Sequence, residues 1–230
     1  MKNIINNIIN NTGNNNMTFK DFHNFDALMA EGNMSEQLIK TYQNIFGDSD
    51  LWGESYSKSE VEEKLKDELS GNAGLRLCVN DNDVDKVSNK VSDKVTDSAN
   101  QTANDLLGFC WAQQLGLQGV KSAIESIQFY QDLGCPQILE PLKRILDDKP
   151  VLYVHDLGIP KDYRGQVPLH KLICPVLNSL AERSQTSRLF FWSIKESRIY
   201  KLAQYAGFKQ VANIAGMQFF IGDVKPCRAF

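Results

Sequence analysis

Apolar residues change period several times along the 230 residues of this chain, and each change marks an element. In "SEQLIKTYQNIFG", Leu38, Ile39, Tyr42, Ile45 and Phe46 recur with the 3.6-residue period of an amphipathic helix closed by Gly47. "SKSEVEEKLKDEL" opens with Ser57 and Glu60 at capping-box spacing and turns Val61, Leu65 and Leu69 to one face of a second helix. "GLRLCVN" and "LLGFCWAQQ" read as strands. Residues 119–149 carry helical patterning broken by "GCP", which predicts two short helices around a turn. "VLYVHDLGI" then predicts a strand, and "PLHKLICPVLNSLAERS" a helix with Pro168 near its first turn and a kink at Pro175. "RLFFWSI" predicts a strand, "SRIYKLAQYAGF" a helix ended by Gly207, and "KQVANIAG" with "MQFFIGDV" a closing strand pair. The order ααββ(αα)βαβαββ predicts an α/β domain around a mixed, mostly antiparallel sheet flanked by helices.

Two segments break this patterning. Residues 1–16 are too rich in asparagine to bury a face and predict a disordered tail. Residues 81–104 repeat Lys-Val-Ser/Thr with Val87, Val91 and Val95 four apart, but a lone valine stripe buries little. That segment is expected as a loop or marginal helix inserted in a hairpin. One domain, 17–230, remains, with a low-complexity insertion at 81–104 and a helical one at 119–149.

Composition narrows the function. With 42% hydrophobic and 23% charged residues the chain can bury a substantial core. A net charge of -3, with no Lys/Arg stripe, lacks the electrostatic footprint of nucleic-acid binding. Five scattered cysteines form neither a disulfide framework nor a metal motif and are expected as reduced thiols; Cys78, Cys110 and Cys174 sit in apolar runs. The histidines at 23, 155 and 170 share no ligand spacing, so no metal is expected. No apolar run reaches membrane-spanning length, and asparagines interrupt the N-terminal isoleucines where a signal peptide needs continuity. A cytoplasmic protein, without a membrane partner, is the expectation.

The chemistry concentrates in "VHDLGIPKDYRGQVPLHK", a strand that turns through an Arg-Gly elbow into a helix. Unpaired N–H groups and the positive end of a helix dipole meet there, which suits a pyrophosphate; Arg164 adds charge and Gly165 permits close backbone approach. This stretch, together with "YQNIFGDSDLWGE", "LLGFCW" and "YAGF" in the same order, resembles the GCN5-related N-acetyltransferase (GNAT) superfamily over about residues 41–224. The resemblance implies the GNAT fold and direct transfer of an acyl group, by default from acetyl-CoA, to a primary amine without a covalent enzyme intermediate. It implies acyl-CoA contacts at Leu157, Gly158, Ile159, Arg164, Gly165, Gln166, Val167, Leu169 and His170. The family's turn usually carries two further glycines; Val167 and Leu169 stand in that register here, and Pro168 removes an N–H donor.

The resemblance places Asp156 where many members carry a carboxylate, and makes it the candidate base, directly or through water. His155 is second. Strand alternation predicts His155 and Leu157 on one face and Asp156 and Gly158 on the other. The family's thiolate-protonating tyrosine falls at Ala203; Tyr200, one turn earlier, is the candidate donor, while Tyr205 lies on a different face. Glu196 or Ser197 caps that helix. The resemblance also puts the acceptor pocket at "DSDLWGESY", where Trp52, Glu54 and Tyr56 could bind the amine through an aromatic wall and a carboxylate. Two alternatives stay open: a catalytically weak GNAT-fold module that binds CoA or a protein, and an acyltransferase using a longer acyl-CoA or an acyl carrier protein. The assembly is expected as a monomer or homodimer.

Overall fold

The computed structural model describes residues 17–47, 56–80, 105–134 and 137–224. The expected tail at 1–16 and the insertion at 81–104 lie outside the described residues.

A strand the sequence reading passed over, β1 (Met17–Phe22), starts the fold, followed by a short helix α1 (Phe25–Ala30) that Asn24 caps. The two amphipathic helices follow as α2 (Gly32–Phe46) and α3 (Lys58–Glu68). The capping box is present in full: Glu60 N donates to Ser57 Oγ (3.2 Å), and Ser57 N to Glu60 Oε2 (2.6 Å). Strands β2 (Ala73–Asn80) and β3 (Leu106–Leu115) come next. The helical insertion contains three helices rather than two: α4 (Leu117–Glu125), α5 (Gln128–Asp132) and α6 (Leu139–Leu146). After β4 (Val151–Gly158) come α7 (Leu169–Ser184), β5 (Arg188–Ile194), α8 (Arg198–Tyr205), β6 (Lys209–Ile214) and β7 (Met217–Asp223).

The seven strands form one sheet in the order β1-β2-β3-β4-β5-β7-β6. Every neighbouring pair is antiparallel except β4 and β5, which run parallel. Helices cover both faces. On one, α1–α3 pack over Leu75, Leu77, Phe109 and Trp111, while α4–α6 pack over Val151, Tyr153, Phe190 and Phe219. On the other, α7 buries Leu172, Val176, Leu177 and Leu180 against Ala112, Leu152 and Leu189 and the cluster around Cys110. Each such aliphatic side chain contributes about 1.5–3 kcal/mol through burial, so α7 is anchored along its whole length. Pro175 lies within it, and Gln185, in the left-handed conformation, ends it.

Cys78 and Cys110 are buried free thiols, as their apolar surroundings predict. Burial pushes Cys110 up to about 12, which removes thiolate reactivity. Cys174 is disulfide-bonded, which corrects the expectation of reduced thiols throughout.

Candidate active site

The sheet opens in the middle. Strands β4 and β5 pair only at Leu152–Leu189 and Tyr153–Phe190. Beyond these pairs β4 stays on the β3 ladder as far as Gly158, and β5 stays on the β7 ladder as far as Ile194. The far half of β4 therefore offers its backbone donors and acceptors along a wedge with no ladder partner on the β5 side. Such an edge can take an extended ligand by main-chain hydrogen bonds.

A bulge sets what β4 presents there. Trp111 pairs with Asp156 but Ala112 pairs with Val154, so His155 is the extra residue on β4. The bulge interrupts the expected alternation. His155 and Asp156 both project toward α3, whereas Leu157 turns to the α7 face and joins Cys110, Val167 and Leu172. Gly158 returns to the α3 face under the ring of Phe109.

Around the bulge lies a cluster of buried charge. Glu68, at the end of α3, takes hydrogen bonds from Lys64 Nζ (2.6 Å) and Trp111 Nε1 (2.6 Å), and its Oε1 lies 3.2 Å from His155 Nδ1. Lys64 Nζ is also 3.4 Å from Asp156 Oδ2, and Tyr42 donates to the same oxygen at 3.4 Å. The other imidazole nitrogen, Nε2, lies 3.2 Å from Gln113 Oε1, and Gln113 Nε2 donates to Ser70 O at 2.8 Å. Tyr153 stands edge-on to His155 with centroids 4.9 Å apart, and its hydroxyl accepts from Trp192 Nε1 at 3.1 Å.

Burial acts on each member, and the neighbours decide the outcome. For Glu68 burial alone would raise the pKa, but His155 and Lys64 outweigh it and bring the carboxyl down to about 2. For Lys64 burial would favour the neutral amine, yet Asp156 and Glu68 hold it above the ordinary lysine range. Asp156 goes the other way. Burial raises it, Lys64 counters only in part, and the Glu68 charge adds to the rise. Two nearby carboxyls thus differ in proton affinity, with the more basic one on the strand that borders the wedge.

At the far end of β4 the chain enters the elbow. Gly165 has φ +90, a conformation that favours glycine. Gln166 and Val167 N both donate to Tyr163 O (3.1 and 3.4 Å), Arg164 N to Lys161 O (3.3 Å), and Lys171 and Leu172 N to Pro168 O (3.0 and 3.3 Å). Among the described residues this leaves the N–H groups of Gly165, Leu169 and His170 without an acceptor. Arg164 Nε donates to Ile159 O at 3.2 Å, which ties the arginine to the strand end while its side chain stays exposed. Lys161, His170 and Lys171 are exposed around the same helix start. The Val167 side chain, 5% exposed, packs down into the core with Leu107 and Leu172 and does not crowd the helix end. Charge, free N–H groups and a dipole end converge there, a set of groups that fits a phosphate ester.

The structure therefore brings Asp156, Leu157, Gly158, Ile159 and the residues from Arg164 to His170 along one wedge and its mouth. Tyr200 sits elsewhere: on α8 its ring meets Phe220 edge-on, and Phe220 stacks on Phe191 of the α7-face cluster, opposite the Asp156 face. Tyr200 OH accepts from Gln204 Nε2 at 2.9 Å, which leaves its own proton free to donate. Ser197 caps α8, accepting from Ile199 N at 3.1 Å, and Ala203 is buried. Trp52 and Glu54 lie outside the described residues. The sequence reading missed Tyr42, Lys64 and Glu68; their only local signal was polar residues beside the apolar stripe of α3, with an aromatic on that of α2. Among the described residues no group of three His, Cys, Asp or Glu side chains could hold a metal, and no helix is long and apolar enough to cross a membrane.

No protein-family model and no curated protein matches this sequence. Solved structures do match by shape. Arylalkylamine N-acetyltransferase 2 from Aedes aegypti superposes with a TM-score of 0.55 at 12% identity, covering 92% of this chain and all of its own (100%). An agmatine N-acetyltransferase variant gives 0.50 at 12% identity, with 90% and 99% covered. At these identities the likeness is one of architecture. The chain therefore has the fold of the GCN5-related N-acetyltransferase superfamily.

Proposed function

We propose that this protein is an acyl-CoA-dependent N-acyltransferase, with acetyl-CoA the default donor and a primary amine the acceptor. The observation that carries the reading is the wedge between β4 and β5, with an anion-favouring elbow at its mouth and a proton-avid carboxyl on its rim. In this reading the elbow holds the donor's phosphates through Arg164 and the N–H groups of Gly165, Leu169 and His170. Main-chain groups of Leu157, Gly158 and Ile159 align the rest of the donor.

The amine nitrogen forms its bond to the thioester carbon, the carbon–sulfur bond breaks, and the sulfur leaves with its electron pair. Asp156, directly or through water, takes the proton the amine loses. Burial raises its pKa above the ordinary aspartate value, which makes it a better proton acceptor than an exposed carboxylate. Tyr200, with a free O–H on the opposite face of the sheet, gives a proton to the departing thiolate. The two candidates thus lie on opposite faces of the sheet. Both neighbours, an agmatine and an arylalkylamine N-acetyltransferase, are named for amine acceptors, which supports the acceptor class.

One observation favours a second reading. Only three N–H groups of the described elbow are free, because Lys161 O, Tyr163 O and Pro168 O engage the others and Pro168 has none. A cradle with so few donors fits a domain that binds acyl-CoA without turning it over. Calorimetric titration with acetyl-CoA and with desulfo-CoA, followed by a transfer assay over a panel of primary amines, separates the readings. Binding with transfer supports the enzyme, and binding with no transfer supports the module. At a hundred times its dissociation constant acetyl-CoA should stabilise the fold by about 2.7 kcal/mol. Absence of any thermal shift at millimolar acetyl-CoA removes both.

A further inference from the structure

Lys64 bridges the acids of the charged cluster and has no part in the transfer step itself. Its ammonium is shared between two carboxylates on different elements, at 2.6 Å from Glu68 on α3 and 3.4 Å from Asp156 on β4. The three side chains are 24%, 12% and 16% exposed, so water screens the group weakly. An exposed ion pair of this kind adds little, but here both acids sit in a low-dielectric site where an uncompensated charge is costly. We propose that Lys64 and Glu68 are positioning residues for Asp156: Glu68 fixes the lysine, and the lysine keeps the Asp156 carboxylate ionised and in one orientation at the bulge. The inference rests on Asp156 acting as the base in acyl transfer.

The surroundings leave this task to few groups. Around Asp156 are Tyr42 from α2, Lys64 and Glu68 from α3, Trp111 from β3, and Tyr153 and His155 beside it on β4, with the Cys110 thiol near it from the α7 side; Tyr56, ahead of α3, lies by Lys64. Tyr42 and Trp111 are neutral donors, and the Trp111 indole is committed to Glu68. Cys110 is held as a thiol by burial. His155 is turned to Glu68 and Gln113 through its two nitrogens. Among the described residues Lys64 is thus the only ammonium in reach, and Glu68, four residues further along α3, fixes the direction of its flexible stem. Without it Asp156 would be a buried acid next to a second carboxylate, the arrangement in which one of two acids keeps its proton. A base that keeps its proton cannot accept another, so Lys64 sets how far down in pH the enzyme works.

The test reads the carboxyl itself and the rate side by side, in the full chain. Carbon-13 NMR titration of aspartate-labelled protein, with Asp156→Asn to assign the signal, gives the Asp156 midpoint. Removing the charge in Lys64→Met, or in Lys64→Gln, which keeps an amide donor should the methionine variant not fold, is expected to raise that midpoint by about one pH unit or more. Lys64→Arg should leave it near the wild-type value. The acidic limb of kcat/KM for transfer from acetyl-CoA to phenylethylamine or agmatine should move by the same amount, with KM for acetyl-CoA unchanged. A midpoint that stays in place in a folded neutral variant overturns the inference and leaves Asp156 standing as base. A midpoint that moves while the limb stays overturns the role of the pair in the reaction, because Asp156 is then not the base.

Discussion

The ring of Phe109 fills the space a side chain at Gly158 would need: a Cβ built there lies 2.2 Å from Phe109 Cζ. The two residues face each other across β3 and β4, and Phe109 is fully buried, with Trp111 stacked beside it at 5.2 Å. The ring has nowhere to go. Gly158→Ala should therefore destabilise the fold by roughly 1–3 kcal/mol through overpacking, measured by urea unfolding. Phe109→Leu in the same chain should recover part of the loss, and a neutral Gly158→Ala would show that the packing is looser than described.

Glu68 links stability to acid. Its folded-state carboxyl lies near 2, below its ordinary value of 4.5, so its contribution is fully present above about 4.5 and drains away as pH falls toward 2. Unfolding free energy measured across that window should fall less steeply in Glu68→Gln than in the wild type. Trp111→Phe, which removes the 2.6 Å indole bond to Glu68 and keeps most of the ring packing, should cost about 1–3 kcal/mol at neutral pH.

Asp156 carries the opposite sign. Because burial raises its pKa, the folded protein holds that proton more tightly than the unfolded chain, and ionising it costs stability as pH rises through the folded value. Activity needs the ionised form. The acidic limb of kcat/KM should therefore lie above the ordinary aspartate value of 3.8, and Asp156→Asn should abolish the limb together with most of the turnover. Normal turnover in that variant would remove Asp156 from the chemistry.

At the elbow, Arg164→Ala should weaken acetyl-CoA binding by roughly 1.5–3 kcal/mol, the scale of a charge-assisted hydrogen bond, with the difference shrinking in high salt. Calorimetry at two salt concentrations measures it; unchanged affinity in a folded variant would make the elbow only a turn.

Restoring a glycine at 167 should not tighten binding. Val167 is core, so Val167→Gly is expected to cost roughly 1.5–3 kcal/mol of stability by thermal unfolding, with no gain in acetyl-CoA affinity. A tighter complex would mean that the valine does hinder the phosphate site.

Periodicity, caps and turn residues determined by themselves the helices α2, α3, α7 and α8, the strands β2 to β7, and the elbow at Arg164, because those signals record which face is buried and where a turn can form within a few residues. The edge strand β1 escaped notice because its six residues are mostly half-buried and carry a weak pattern. Three features were left to the tertiary structure. Whether His155 and Asp156 share a face depends on the register of β4 against β3, and one extra residue there reverses a strict two-residue alternation. Whether Val167 crowds a phosphate or fills the core depends on what lies beneath the turn. The proton affinity of Asp156 is raised by burial and adjusted by Lys64 and Glu68, which lie on a helix far away in the chain and become its neighbours only when α3 packs across the sheet. Burial and Coulomb interaction act through space, so residues that look unrelated along the chain decide together which carboxyl binds its proton more tightly.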